Sequence, residues 1–233
     1  MLHLERKVYN IMKLTSKTIS ILKNFSTINQ NLMVKTGNTL STMSAMKNIV
    51  AQAEVTETFP QEFAIYDLNE FLSALSLFEE PELNFQGQYV TITQEGSRKN
   101  LKYWFSDPEV VTKSPKALVM PSTEVTFKLS SDALNQIRNA AAVIGAPDMA
   151  LTNGSLMVTD KKNDTANAYE DDVAVNNTDA DYTFWFKTEN LKLIDGSYDV
   201  EVCAGEKTMS HFTNSAVGVE YWIALEPGST YSA

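Results

Sequence analysis

The sequence predicts an α+β fold made of two like domains, each an antiparallel sheet with its helices gathered on one face. Three observations carry this. In FAIYDLNEFLSALSLF, at 63–78, alternating apolar residues run into Asp67, and then Leu68, Phe71, Leu72 and Leu75 recur at helical spacing. A period of two giving way to one near 3.6 marks a strand entering an amphipathic helix, with Asp67 as its N-cap. A second copy, YTFWFKTENLKLI at 182–194, answers the first. A repeat of roughly 110 residues is too long for a solenoid and implies two fused domains. Between the copies, residues 107–122 carry Pro108, Pro115 and Pro121 with little periodicity, the composition of a stiff connector.

The elements follow in order. Residues 1–11 are basic and read as a leader; 12–106 form the first domain, 107–122 the connector and 123–233 the second domain. Met12 to Asn29 is predicted helical, because Leu14, Ile21, Leu22, Phe25 and Ile28 share one face while Lys13, Lys17 and Lys23 share another. Leu32 to Ala45 and Ile49 to Phe59 read as strands, with a hairpin turn at Gly37-Asn38. Leu83 to Thr93 and Leu101 to Phe105 add strands after the second helix, which Glu79-Glu80-Pro81 closes. In the second half Val125 to Leu129 leads through Ser130 into a helix with Leu134, Ile137, Ala141 and Ile144 on its apolar stripe, ended by Gly145. A hairpin around Asn153-Gly154 and strands at Tyr169 to Val175 and Tyr182 to Phe186 precede a short helix expected at Lys187 to Asp195. Strands at Tyr198 to Ala204 and Val217 to Leu225 complete the reading.

The composition bounds the function. The 233 residues are 43% hydrophobic, enough for a real core, and no apolar run reaches the ~20 residues that span a bilayer, so no membrane role is expected. The N-terminal residues lack the apolar core of a signal peptide, and the single cysteine, Cys203, excludes an internal disulfide and fits a reducing compartment. Cys203 lies between Val202 and Ala204 on an apolar strand, where burial is expected rather than reactivity.

Catalytic and metal chemistry find little footing. His3 and His211 are the only histidines, and no nucleophile elbow, P-loop, dinucleotide fingerprint or H-E-x-x-H motif occurs. The acidic stretch 160–181 fails as an EF-hand loop, since Thr165 stands where glycine is needed and Asp171 where a bidentate glutamate belongs. No enzyme activity, metal or cofactor is expected.

The 19 basic and 29 acidic residues give a net charge of −10, which opposes nucleic-acid binding by the chain as a whole. The placement of the cations counters that. Lys13, Lys17 and Lys23 on the first helix, Arg138 on the third and Lys187 and Lys192 on the fourth would together form a positive stripe if the helices line one surface. Such a stripe holds phosphates without reading bases.

Three segments spread along the chain, MKLTSKTISILKNFSTIN at 12–29, FAIYDLNEFLSALSL at 63–77 and YWIALEPGST at 221–230, resemble the sliding clamps of T-even-type bacteriophages, the processivity factors of DNA polymerase. The resemblance implies a head-to-tail homotrimeric ring of processivity-fold domains around duplex DNA, helices inside and sheets outside. It also implies polymerase and an ATP-driven clamp loader as partners, assistance to late transcription, no cofactor, and the cytoplasm of an infected bacterial host. By position it places Lys13, Lys17, Lys23, Arg138, Lys187 and Lys192 on the DNA-facing wall. A partner-peptide groove would use Val111, Leu118 and Val119 of the connector with Ile223, Ala224, Leu225 and Pro227. Ring closure would pair the edge bearing Leu101, Tyr103 and Phe105 with the edge bearing Tyr169, Val173 and Val175 of the next copy. The competing expectation is a β-rich structural or assembly protein of a virus particle, without a DNA role.

Overall fold

The computed structural model describes residues 11–114, 118–176, 179–205 and 207–232. The leader reading at 1–11 therefore lies outside the described residues except for Ile11. The chain divides into two compact units: Met1–Thr42 with Ala53–Ser114, and Met43–Gln52 with Pro115–Ala233.

The first unit begins with β1 (Ile11–Lys13) and α1 (Ser16–Ile28). Helix therefore starts later than the apolar period suggests. Residues Ile11, Met12 and Lys13 pair with Asn84, Leu83 and Glu82, and the Thr15 hydroxyl then accepts from the Thr18 N–H to cap the helix. The apolar face of α1 is as read, with Ile21, Leu22, Phe25 and Ile28 buried. β2 (Leu32–Val34) pairs with β5 (Phe63–Ile65), so no hairpin forms at Gly37-Asn38. Gly37 instead opens β3 (Gly37–Met43), and a tight turn at 44–48 leads to β4 (Ile49–Phe59). A φ of 117° at Gly37 is open to glycine alone at little strain, which explains the residue without a hairpin.

From β5 the chain enters α2 (Leu68–Leu75) as predicted. Asp67 accepts hydrogen bonds from the backbone N–H of Asn69 and Glu70 at 3.0 and 3.1 Å, and from Gln30 Nε2 at 2.9 Å. The Glu70 N–H foremost, then Gln30, holds its carboxyl below the ordinary range. β6 (Glu82–Phe85), β7 (Tyr89–Thr93) and β8 (Asn100–Trp104) complete a four-stranded sheet in the order β1-β6-β7-β8. The core gathers the rings of Phe59, Phe63, Phe85 and Phe105.

The second unit opens with β9 (Val125–Leu129) and α3 (Ser131–Ile144), capped by Ser130 and ended by Gly145 in the left-handed conformation. β10 (Asp148–Thr152) and β11 (Ser155–Thr159) form the expected hairpin, with Asn153 and Gly154 both at positive φ. The stretch read as one strand at 169–175 is two: β12 (Tyr169–Asp172) pairs with β11 and β13 (Val175–Asn176) with β9. β14 (Asp181–Lys187) follows, then β15 (Tyr198–Cys203), β16 (Met209–Asn214), β17 (Val219–Ala224) and β18 (Thr230–Ser232). β16 falls between the strands expected at 198–204 and 217–225, and β18 follows the second of them. One sheet runs β12-β11-β10-β14-β18, and another runs β13-β9-β15-β16-β17 and continues into the start of β4.

The helix expected at 187–195 is absent. A single 3₁₀ turn occupies Thr188–Asn190, after which Leu191 and Leu193 are buried alternately with the more open Lys192 and Ile194. That period of two is extended chain, and Arg138 Nη2 takes the carbonyls of Leu191 and Leu193 at 3.0 and 2.6 Å. Side-chain satisfaction of those carbonyls replaces helical hydrogen bonds.

Candidate nucleic-acid interface

The six predicted cations meet different fates. Lys17 and Lys23 are exposed on α1, away from the buried stripe, and neither has an ion-pair partner among the described residues. Lys13 lies on β1 rather than on the helix and faces Glu80, Glu82 and Glu95 at 3.3, 3.4 and 4.0 Å. Its hydrogen bond to Glu80 raises its pKa, fixing the charge but spending it within the chain. Arg138 is held by Asp195 at 2.8 Å as well as by the two carbonyls. Lys187 ends β14 and pairs at 2.6 Å with Asp148, whose side chain is 1% exposed, and that bond raises the lysine pKa. Lys192 is half-buried past the 3₁₀ turn. Of these six, Lys17 and Lys23 on α1 stand most open to a polyanion. The exposed face of α3 is instead uncharged at Asn135, Asn139 and Ala142, with Asp132 in its first turn.

A cavity of about 190 Å³ lies beside part of the expected groove, lined by Met43, Lys47, Asn48, Val50, Leu118, Met209, Trp222 and Ala224. Of the expected residues Leu118 and Ala224 line it, and Val119, at 80% exposure, stands next to Leu118. Ile223 and Leu225 point into the core, because strand alternation sends them opposite to Trp222 and Ala224. Val111 packs with Met33 and Ala64 in the core of the first unit, and Pro227 is exposed with its carbonyl accepting from Lys161 at 3.1 Å. Trp222, Met209, Lys47 of the turn and the flanking Met43 and Val50 line the cavity without having been among the expected residues. The alternation in β17 could have found Trp222, whereas the turn joins only in three dimensions.

Trp222 also carries His211 on its face, ring centroids 4.6 Å apart. The histidine is held on both sides, Nδ1 to Glu201 at 3.1 Å and Nε2 to Glu220 at 3.0 Å. It is a structural cross-strand bridge. Cys203 is buried against the Ser122 hydroxyl at 3.1 Å.

Two predicted edges are edges. β8, carrying Leu101 and Tyr103, is the outer strand of the first unit's sheet. Phe105 lies just beyond it and stacks on Phe63 at 4.7 Å, a core role. β12, carrying Tyr169, bounds one sheet of the second unit, and β13, carrying Val175, bounds the other. Val173 bridges them, its N–H donating to Gly154.

This assembly of helix-backed antiparallel sheets is the fold of DNA clamps. Solved structures of proliferating cell nuclear antigen from Thermococcus kodakaraensis and Entamoeba histolytica superpose with TM-scores of 0.66 and 0.64 at 14% and 12% identity, each over 93% of this chain and over 99% and 98% of theirs. At the level of sequence, residues 13–120 match the family described as DNA polymerase processivity factor and residues 125–227 the C-terminal domain of the gp45 sliding clamp. The sliding clamp of Vibrio phage KVP40 is 33% identical over 225 residues, covering 92% of this chain and 99% of that one. Those of Escherichia phage RB69 and Enterobacteria phage T4 are each 27% identical over 228 residues, 94% of this chain and 99% of theirs. The chain belongs to the phage sliding-clamp family of DNA polymerase processivity factors.

Proposed function

We propose that this chain acts without chemistry of its own: as a homotrimer it closes into a ring around duplex DNA and tethers the replicative polymerase during phage replication in the host cytoplasm. The observation that carries the DNA role is the solvent face of α1, where Lys17 and Lys23 stand outside every ion pair described on a chain of net charge −10. Few cations suffice, since a ring is retained by topology and only weak, non-specific attraction to phosphates is needed for it to slide. Lys13, Arg138, Lys187 and Lys192 have a lesser role toward DNA, with Lys13, Arg138 and Lys187 spending their charge on neighbouring carboxylates. The cavity flanked by Leu118, Met209, Trp222 and Ala224 is the seat for an apolar peptide of the polymerase or of an ATP-driven loader, and late-transcription factors use the same seat. A structural protein of the virus particle, the competing reading, has no support in the family match.

The test loads the protein on a nicked circular duplex and then linearises it. Release on cutting is expected, and persistence on free ends would overturn the sliding reading. Lys17→Glu with Lys23→Glu should cut loading several-fold while leaving assembly unchanged, and wild-type loading by this variant would remove α1 from the wall.

A further inference from the structure

Trp222 is the bulkiest residue lining the cavity, and nothing polar anchors it. Its side chain is 6% exposed, yet its indole N–H finds no acceptor among the described residues. A buried tryptophan ordinarily has its N–H paired, and that bond fixes the ring. Here a stack fixes it instead: the His211 imidazole lies nearly parallel to the indole, 7° between planes and 4.6 Å between centroids. Register produces the stack, because Glu201, His211 and Trp222 are direct cross-strand partners on β15, β16 and β17. Met209 and Ala224, which line the cavity, form the next pair on the same face.

His211 is itself clamped. Nδ1 faces Glu201 at 3.1 Å and Nε2 faces Glu220 at 3.0 Å, with the Thr213 hydroxyl 3.4 Å from Nε2. The next charges by register are Asp199 on β15 and Lys128 on β9, which pair with each other at 3.4 Å. Two carboxylates therefore face one ring. A neutral imidazole donates from one nitrogen and only the imidazolium from both. Both contacts are hydrogen bonds in the protonated ring alone; in the neutral ring a lone pair meets a carboxylate and that contact opens.

We infer that His211 is a positioning residue for the peptide seat: clamped between Glu201 and Glu220, it holds the Trp222 indole ready for a docking peptide, most firmly when the imidazole is protonated. The inference rests on the reading of this cavity as the peptide seat. His211 does not line the cavity and acts through Trp222. An indole fixed beforehand spares the complex the entropy of ordering it, so the rigid wall gives tighter docking. Rising pH removes one of the two contacts, frees the ring and weakens docking.

The test uses the full chain and a short peptide selected on it from a random library, kept only if Ala224→Arg abolishes its binding. Wild-type affinity should fall about three- to tenfold as pH rises through the titration of the His211 ring. The indole N–H resonance of Trp222 should shift over the same interval, a readout that needs no substitution at His211. His211→Ala should lose a similar factor at low pH. His211→Phe keeps a flat ring on the indole without titrating, so it should recover most of the affinity with a flat pH profile, and circular dichroism confirms that each variant is folded. A Trp222 resonance indifferent to the His211 titration, wild-type affinity in His211→Ala at low pH, or a pH profile that persists in His211→Phe would overturn the positioning role alone. A library that yields no peptide sensitive to Ala224→Arg would sink the seat and this inference with it.

Discussion

Arg138 shows how a residue's sequence position and its physical role can diverge. Its spacing on α3 leaves it at the border of the apolar stripe, and its guanidinium folds over the 191–195 segment to satisfy two carbonyls and Asp195. Planar, multi-donor geometry makes arginine apt for this, and lysine a poor substitute. Arg138→Gln should therefore lower unfolding stability by about 1–3 kcal/mol in a denaturant titration, the cost of unpaired part-buried acceptors, while changing the salt dependence of DNA binding little. Equal stability to wild type would refute the structural role. His211 teaches the same lesson in another form, because a lone histidine between two glutamates is legible only once β15, β16 and β17 are side by side.

Among the elements, α1 depends on a buried carboxylate on β4. Glu57, 7% exposed, accepts from the Thr15 backbone N–H and from the Thr18 hydroxyl at 2.6 Å, joining the strand to the first turn of the helix. Burial acts to raise its pKa, but the hydrogen bonds from Thr18 and Thr15 outweigh burial and leave it below the ordinary carboxylate value. A depressed folded-state pKa contributes stability that is full above the unfolded value, near 4.5, and is lost as pH falls through the folded one. Thermal melts should therefore show α1 support fading on the acid side of that range. Glu57→Gln should cost about 1–2 kcal/mol at neutral pH and flatten this acid dependence; an unchanged acid limb would exclude Glu57 as its source. The helices and hairpins with strong local signals were legible: α2 behind Asp67, α3 between Ser130 and Gly145, and β10–β11 around Asn153-Gly154. The fourth helix was not, because K-T-E-N-L-K-L-I fits either period and the choice fell to Arg138.

For the whole molecule, open edges and an unpaired basic helix face point to a protein completed by copies of itself. Light scattering at micromolar concentration should give a mass about three times the 26.0 kDa chain, and a stable monomer would sink the ring. By itself the sequence determined the doubled α+β plan, the caps and the apolar stripe of α1, because those follow from periodicity and local backbone chemistry. Tertiary structure alone decided which cations stay open, since Lys13, Arg138 and Lys187 find their acidic partners 67, 57 and 39 residues away. It also decided the lining of the cavity, where Met43 and Val50 on either side of one turn meet Met209 and Trp222. Long-range pairing leaves no periodic trace in a chain, so charge and cavity had to be read from the folded protein.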